Sequence, residues 1–198
     1  MEWQRPHRQV YIWLAILGIC FFAGNLCGGI FLALTDTVAL EEMRDFLDEY
    51  FRLFLEGSPH LSFFSGLLVR FGQFAVLVVC CVLPVAEIAV PFFFTWRGFL
   101  LGFSNACLYS LFGRMGLLLS GVLFLIPATL WFPAQLICSL WVFSGRKNGE
   151  KNSGKRILVS REGALCLGIC LALTVLCAWV EFSLLPPLLG GISRVWLY

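Results

Sequence analysis

From Val10 to Leu34 the chain runs 25 residues without one charged side chain. As an α-helix that stretch is about 37 Å long, more than the ~30 Å hydrocarbon thickness of a bilayer. A cleaved signal peptide has an apolar region of about 7–15 residues and a small-residue cleavage site, so this run is expected to stay in the protein as a first membrane span. The pattern recurs. Apolar runs over about 63–83, 88–112, 115–143 and 163–185 predict four more crossings. The expected fold is therefore all-α: a polytopic integral membrane protein, with residues 1–198 forming a single membrane domain of about five transmembrane helices.

Composition supports a lipid environment. Of 198 residues 60% are hydrophobic and 13% charged, whereas soluble domains have about 45–50% apolar and ~25% charged residues. A net charge of +2, with no basic stripe, excludes nucleic acid as an expected partner; the expected surroundings are the lipid bilayer. The nine cysteines (Cys20, Cys27, Cys80, Cys81, Cys107, Cys138, Cys166, Cys170 and Cys177) sit inside apolar runs and read as small packing residues rather than a disulfide framework.

One segment differs in kind. Over 38–55, Leu40, Met43, Leu47, Tyr50 and Phe54 recur at spacings of three and four, while Glu41, Glu42, Asp45, Asp48, Glu49 and Arg52 occupy the other side. That is an amphipathic helix lying on the membrane surface, capped by Asp36 or Thr37 and stopped at Gly57-Ser58-Pro59. The polar loop 144–162 contains every lysine of the chain together with Arg146, Arg156 and Arg161. Loops rich in Lys and Arg stay in the cytoplasm, which places the amino terminus and this loop inside, and the acidic helix and the carboxyl terminus outside.

Within the spans, Arg70 and Arg97 are costly in hydrocarbon at about 2.5–3.5 kcal/mol each on insertion scales. Glu87 and Glu181 are the acids in or beside the apolar segments. For Arg97 an interior polar contact and snorkelling toward the interface are both open readings; Arg70 reads as snorkelling. Pro84 and Pro91 bracket Glu87, so this region reads as a turn, a broken helix or a kink. The fourth span is expected to kink near Pro127 and Pro133, and the fifth to end at Pro186-Pro187. Gly24-x-x-x-Gly28 and Gly98-x-x-x-Gly102 offer small faces for close helix packing, within this chain or against a partner. His7 and His60 lie far apart, and no nucleophile-base set, nucleotide loop or metal-ligand spacing is present, so neither an enzyme nor a cofactor is expected. The partner-binding candidates are Glu41, Asp45, Asp48, Glu49, Tyr50 and Phe54.

The order of features resembles the bacterial stage II sporulation protein M family of integral membrane proteins. The marks are the glycine-rich first span (Gly18, Gly24, Gly28, Gly29), the string Tyr50-Phe51-Arg52-Leu53-Phe54 and the string Arg97-Gly98-Phe99-Leu100-Leu101-Gly102-Phe103. Ile126-Pro127-Ala128 and Phe143-Ser144 follow, so the resemblance extends over 14–144. Arg97 and Ser104 stand where the family pattern usually has Lys and Thr. The resemblance implies a bacterial cell-membrane scaffold that anchors a peptidoglycan-degrading complex during forespore engulfment in sporulation. Its implied partners are membrane-anchored peptidoglycan hydrolases: an amidase, an endopeptidase and a lytic transglycosylase. The competing expectation is a transport protein or permease subunit, with Arg70, Arg97 and the proline-broken segment lining a path.

Overall fold

The computed structural model describes residues 5–55, 63–145 and 160–196. These form α1 (Arg5–Ala33), α2 (Thr37–Leu55), α3 (Phe63–Val82), α4 (Ala86–Ser120), a π-helical turn (Gly121–Leu125), α5 (Ile126–Gly145) and α6 (Arg161–Trp196). No strand occurs among the described residues. Gln9–Ala33, Ala86–Ser144 and Arg161–Ser183 are long and apolar enough to cross a bilayer, and Gly66–Val82 is a shorter apolar helix. The bundle's exterior is apolar: Ile19, Phe22, Leu26, Val79, Ile88, Phe92, Leu165 and Ile169 all point outward and are exposed. Such a continuous apolar surface belongs in lipid rather than water.

A straight helix over the 59 residues of Ala86–Ser144 would be about 90 Å long, three times the hydrocarbon thickness. The chain instead doubles back. Gly113 has φ 58° and ψ −134°, a conformation that glycine adopts without the clash a side chain would bring. Ser120 Oγ donates to Asn105 Oδ1 at 2.8 Å, although fifteen helical residues would hold them about 22 Å apart. Gly116 packs so tightly that a Cβ there would strike the Leu108 carbonyl.

The prolines act in different ways. Pro84 lies in the turn between α3 and α4, whereas Pro91 is accommodated inside α4. The π turn comes directly before Pro127. A proline there has no N–H for the carbonyl four residues back, and its ring crowds that carbonyl; the wider turn relieves the conflict. Pro133 sits within α5. The expected stop at Pro186-Pro187 is corrected: α6 continues to Trp196. Proline's locked φ of about −65° is itself helical, so two prolines remove hydrogen bonds without forcing the backbone to turn. The expected stop of α2 at Gly57-Ser58-Pro59 and most of the basic loop fall outside the described residues.

Contacts between the helices fix their directions. Gly98 faces Phe21 and Asn25, and Gly102 faces Asn25, so α1 and the first part of α4 run parallel. Trp13 stacks on Phe143 at 4.2 Å and Phe21 meets Phe132 at 4.7 Å, so α1 and α5 are antiparallel. Cys170 Sγ donates to the Ala134 carbonyl and Cys177 Sγ to that of Pro127, which sets α6 antiparallel to α5. The starts of α1 and α6 therefore share one end of the bundle with the 83–85 turn and the end of α5. The Gly113 reversal, the end of α1 and the start of α2 occupy the other. Leu17, Phe74, Leu77, Cys81, Val90, Phe94, Ala134, Cys138, Val142 and Cys170 fill the half nearer the first end as one buried core.

Candidate functional site

In the other half, α3, α4, α5 and α6 enclose a cavity of about 400 Å³. Arg70 and Gln73 reach it from α3, Arg97, Leu101 and Ser104 from α4, Phe124 from the π turn, Trp131 from α5 and Glu181 from α6. Each polar group sits on an otherwise apolar helix, so its orientation is decided by whether it finds a partner in the interior.

Arg70 finds one. Its Nε donates to Glu181 Oε2 at 3.1 Å, a terminal guanidinium nitrogen pairs with Oε1, and the other donates to Gln73 Oε1 at 3.3 Å. This fork uses both carboxylate oxygens, the geometry that suits arginine and that lysine does not supply. The side chains of Arg70 and Glu181 are only 18% and 16% exposed, so the snorkelling expected for Arg70 is corrected to an interior ion pair. The cause is Glu181, 111 residues away in sequence.

Arg97 is held differently. Its guanidinium carbon lies 4.2 Å from the centroid of the Trp131 ring, a cation–π contact worth about 2 kcal/mol where water is excluded. Its Nε is buried and has no hydrogen-bond partner. Among the described residues the other buried side-chain atom without one is Gln135 Oε1, and Gln135 does not line the cavity. Glu87 does not answer Arg97. It is exposed in the first turn of α4, about 15 Å along the helix from Arg97.

The opposite face of α4 has no room at all. A Cβ added to Gly24 or Gly28 would fall on the carbonyls of Thr95 or Phe99, and one added to Gly98 or Gly102 on those of Phe21 or Asn25. The two small-residue motifs thus interlock with each other, which answers the open question of whether they pack within the chain. Backbones this close gain dispersion and Cα–H···O contacts that larger residues would forbid.

On α2, which begins after the Asp36 carbonyl accepts the first helical hydrogen bond from Leu40, Glu41, Glu42, Asp45 and Glu49 are exposed, as is Phe46. Leu40 and Met43 are half-buried. The side chains of Asp48, Tyr50 and Phe54 lie outside the described residues. The sequence does not single out Trp131 or Gln73, and Ser104 enters there only through the family resemblance. Trp131 reads there as one aromatic among many and reaches Arg97 only through the packing of α5 on α4, whereas Gln73 lies three residues from Arg70 on α3, a helical spacing the sequence does carry.

No family model, no curated protein and no solved structure matches this chain.

Proposed function

We propose that the chain crosses the bilayer five times and serves as a scaffold that presents α2 to extracytoplasmic partners. The reversal at Gly113 supports the count, because it divides the longest apolar stretch into two crossings of bilayer length. The contacts that set α1, the first part of α4 and α6 parallel to one another are what five alternating crossings require. The basic residues gather at the end where α5 and α6 meet, which by the positive-inside rule is cytoplasmic. Cysteine labelling on a background without native cysteines tests this. An impermeant probe is expected to label Glu42→Cys but not Lys151→Cys in intact cells, and the reverse pattern inverts the topology.

The observation that carries the scaffold reading is the exposed acidic face of α2. One turn below the cavity polar groups lie Phe74, Phe94, Ala134 and Cys177, all buried. The competing transport reading is favoured by the intramembrane charges and by the buried polar side chains Gln135, Ser139 and Thr174 on the way to the basic end, and opposed by the apolar residues packed one turn below the cavity. The resemblance described above supplies the partner class, membrane-anchored peptidoglycan hydrolases in the cell membrane of a sporulating bacterium. Reversing the exposed acids in a Glu41→Lys, Glu42→Lys, Asp45→Lys variant is expected to spare membrane accumulation and to reduce hydrolase recovery on co-purification. Wild-type recovery would remove the role assigned to α2.

A further inference from the structure

Among the side chains lining the cavity, Glu181 is the one carboxylate and both its oxygens are taken by Arg70. Arg97 therefore contributes a net positive charge that no lining acid neutralises. Its buried Nε donates to nothing, and its guanidinium lies over the face of Trp131. A desolvated guanidinium with an unused donor is an expensive arrangement that an anion would relieve. The volume of about 400 Å³ falls inside the ~300–1,000 Å³ range of small-ligand sites.

We propose that this cavity binds a phosphate-bearing anion, with Arg97 as its charge partner. The planar guanidinium fork suits phosphate oxygens, and Ser104, about two turns further along α4, lines the same cavity. The cavity borders the outside of the bundle between α3 and α4, where Val69 and Leu100 line it and are themselves exposed. Its surroundings there are the apolar exterior, so a phospholipid reaches the site by moving sideways, headgroup toward Arg97 and acyl chains along α3 and α4. Free phosphate would reach it from the aqueous side near the α2 end. The proposal rests on the cavity and is independent of which partners α2 recruits.

Native mass spectrometry and thermal melting of the full chain in detergent test it, with phosphatidylglycerol, diacylglycerol and inorganic phosphate as probes. Phosphatidylglycerol is expected to bind and to raise the melting midpoint, diacylglycerol to do neither, and Arg97→Met to bind phosphatidylglycerol at least about tenfold more weakly. Inorganic phosphate that alone raises the midpoint and displaces the lipid, in an Arg97-dependent way, assigns the same site to free phosphate. Equal phosphatidylglycerol binding by wild type and Arg97→Met, or no response to either phosphate source, overturns the proposal. Should Arg97→Met not give a monodisperse protein, Ser104→Leu keeps the cation and fills the cavity. Loss of binding in that variant supports the proposal, and unchanged binding overturns it.

Discussion

Helix α4 has two faces that solve opposite problems. Toward α1, Gly98 and Gly102 leave the backbone bare and the neighbouring backbone moves in until there is no space for a methyl group. Toward α3, α5 and α6 the same turns carry Arg97, Leu101 and Ser104 into an open cavity. Arg97 and Gly98 are adjacent in sequence, and a helix turns adjacent residues by about 100°, so one string serves both faces. In lipid, where burial of apolar surface gives helices little reason to associate, close backbone packing holds one side of α4 and the cation–π contact from Arg97 to Trp131 meets the other.

Substitutions on the two faces should differ in size, and the seam should be the more sensitive. Gly98→Leu places a branched side chain where the Phe21 carbonyl already sits. Overpacking costs about 1–3 kcal/mol where neighbours can yield and more where the obstacle is backbone. The expected outcome is loss of the monodisperse species on size exclusion in detergent; normal folding of Gly98→Leu would mean that α1 and α4 are not locked together.

Next in size is Glu181→Gln. It removes the negative charge and one acceptor oxygen, leaving Arg70 only neutral amide partners, the substituted side chain and Gln73. Because 18% and 16% of the paired side chains remain exposed, the loss is expected near 2 kcal/mol, below the ~3–5 kcal/mol of a fully buried pair. A lowered melting midpoint that the further change Arg70→Met restores would confirm that the unpaired cation is what destabilises.

Arg97→Met is expected to be smaller again in the absence of any anion, because the Nε it removes is already without a partner and methionine keeps a favourable sulfur–aromatic contact with Trp131 in place of the cation–π contact. Arg114→Ala completes the order. Arg114 is exposed beside the Gly113 turn, and surface changes usually lie within about ±0.5 kcal/mol. A melting series that ranks Arg114→Ala above Arg97→Met would break the distinction between interior and surface cations.

What the sequence made legible follows from local rules. Uninterrupted apolar runs located the helices, the three-and-four spacing located α2, and the break between 112 and 115 fell on the glycine that reverses the chain. The glycine motifs were visible as small faces, but their pairing with each other depends on α1 and α4 running parallel, which no local pattern encodes. Glu181 escaped as the partner of Arg70 because an ion pair between helices depends on helix order and depth. Glu87 drew attention as an acid close in sequence, yet it faces away at the start of α4. Pro186-Pro187 misled because proline marks a lost donor more reliably than a change of direction.

The parallel seam has a consequence for how the molecule is made. Asn25 leaves the ribosome well before the residues that cover it, Gly98 and Gly102. Synthesis proceeds at about 5–20 residues per second, so on the order of several seconds pass in between. During that interval the bare stripe of α1 faces lipid or any other helix with a small face. The insertion machinery, or a neighbouring copy of α1, would be its first companion. A nascent-chain crosslinking experiment with a probe at Asn25 should therefore catch a transient neighbour that disappears once α4 has entered the bilayer.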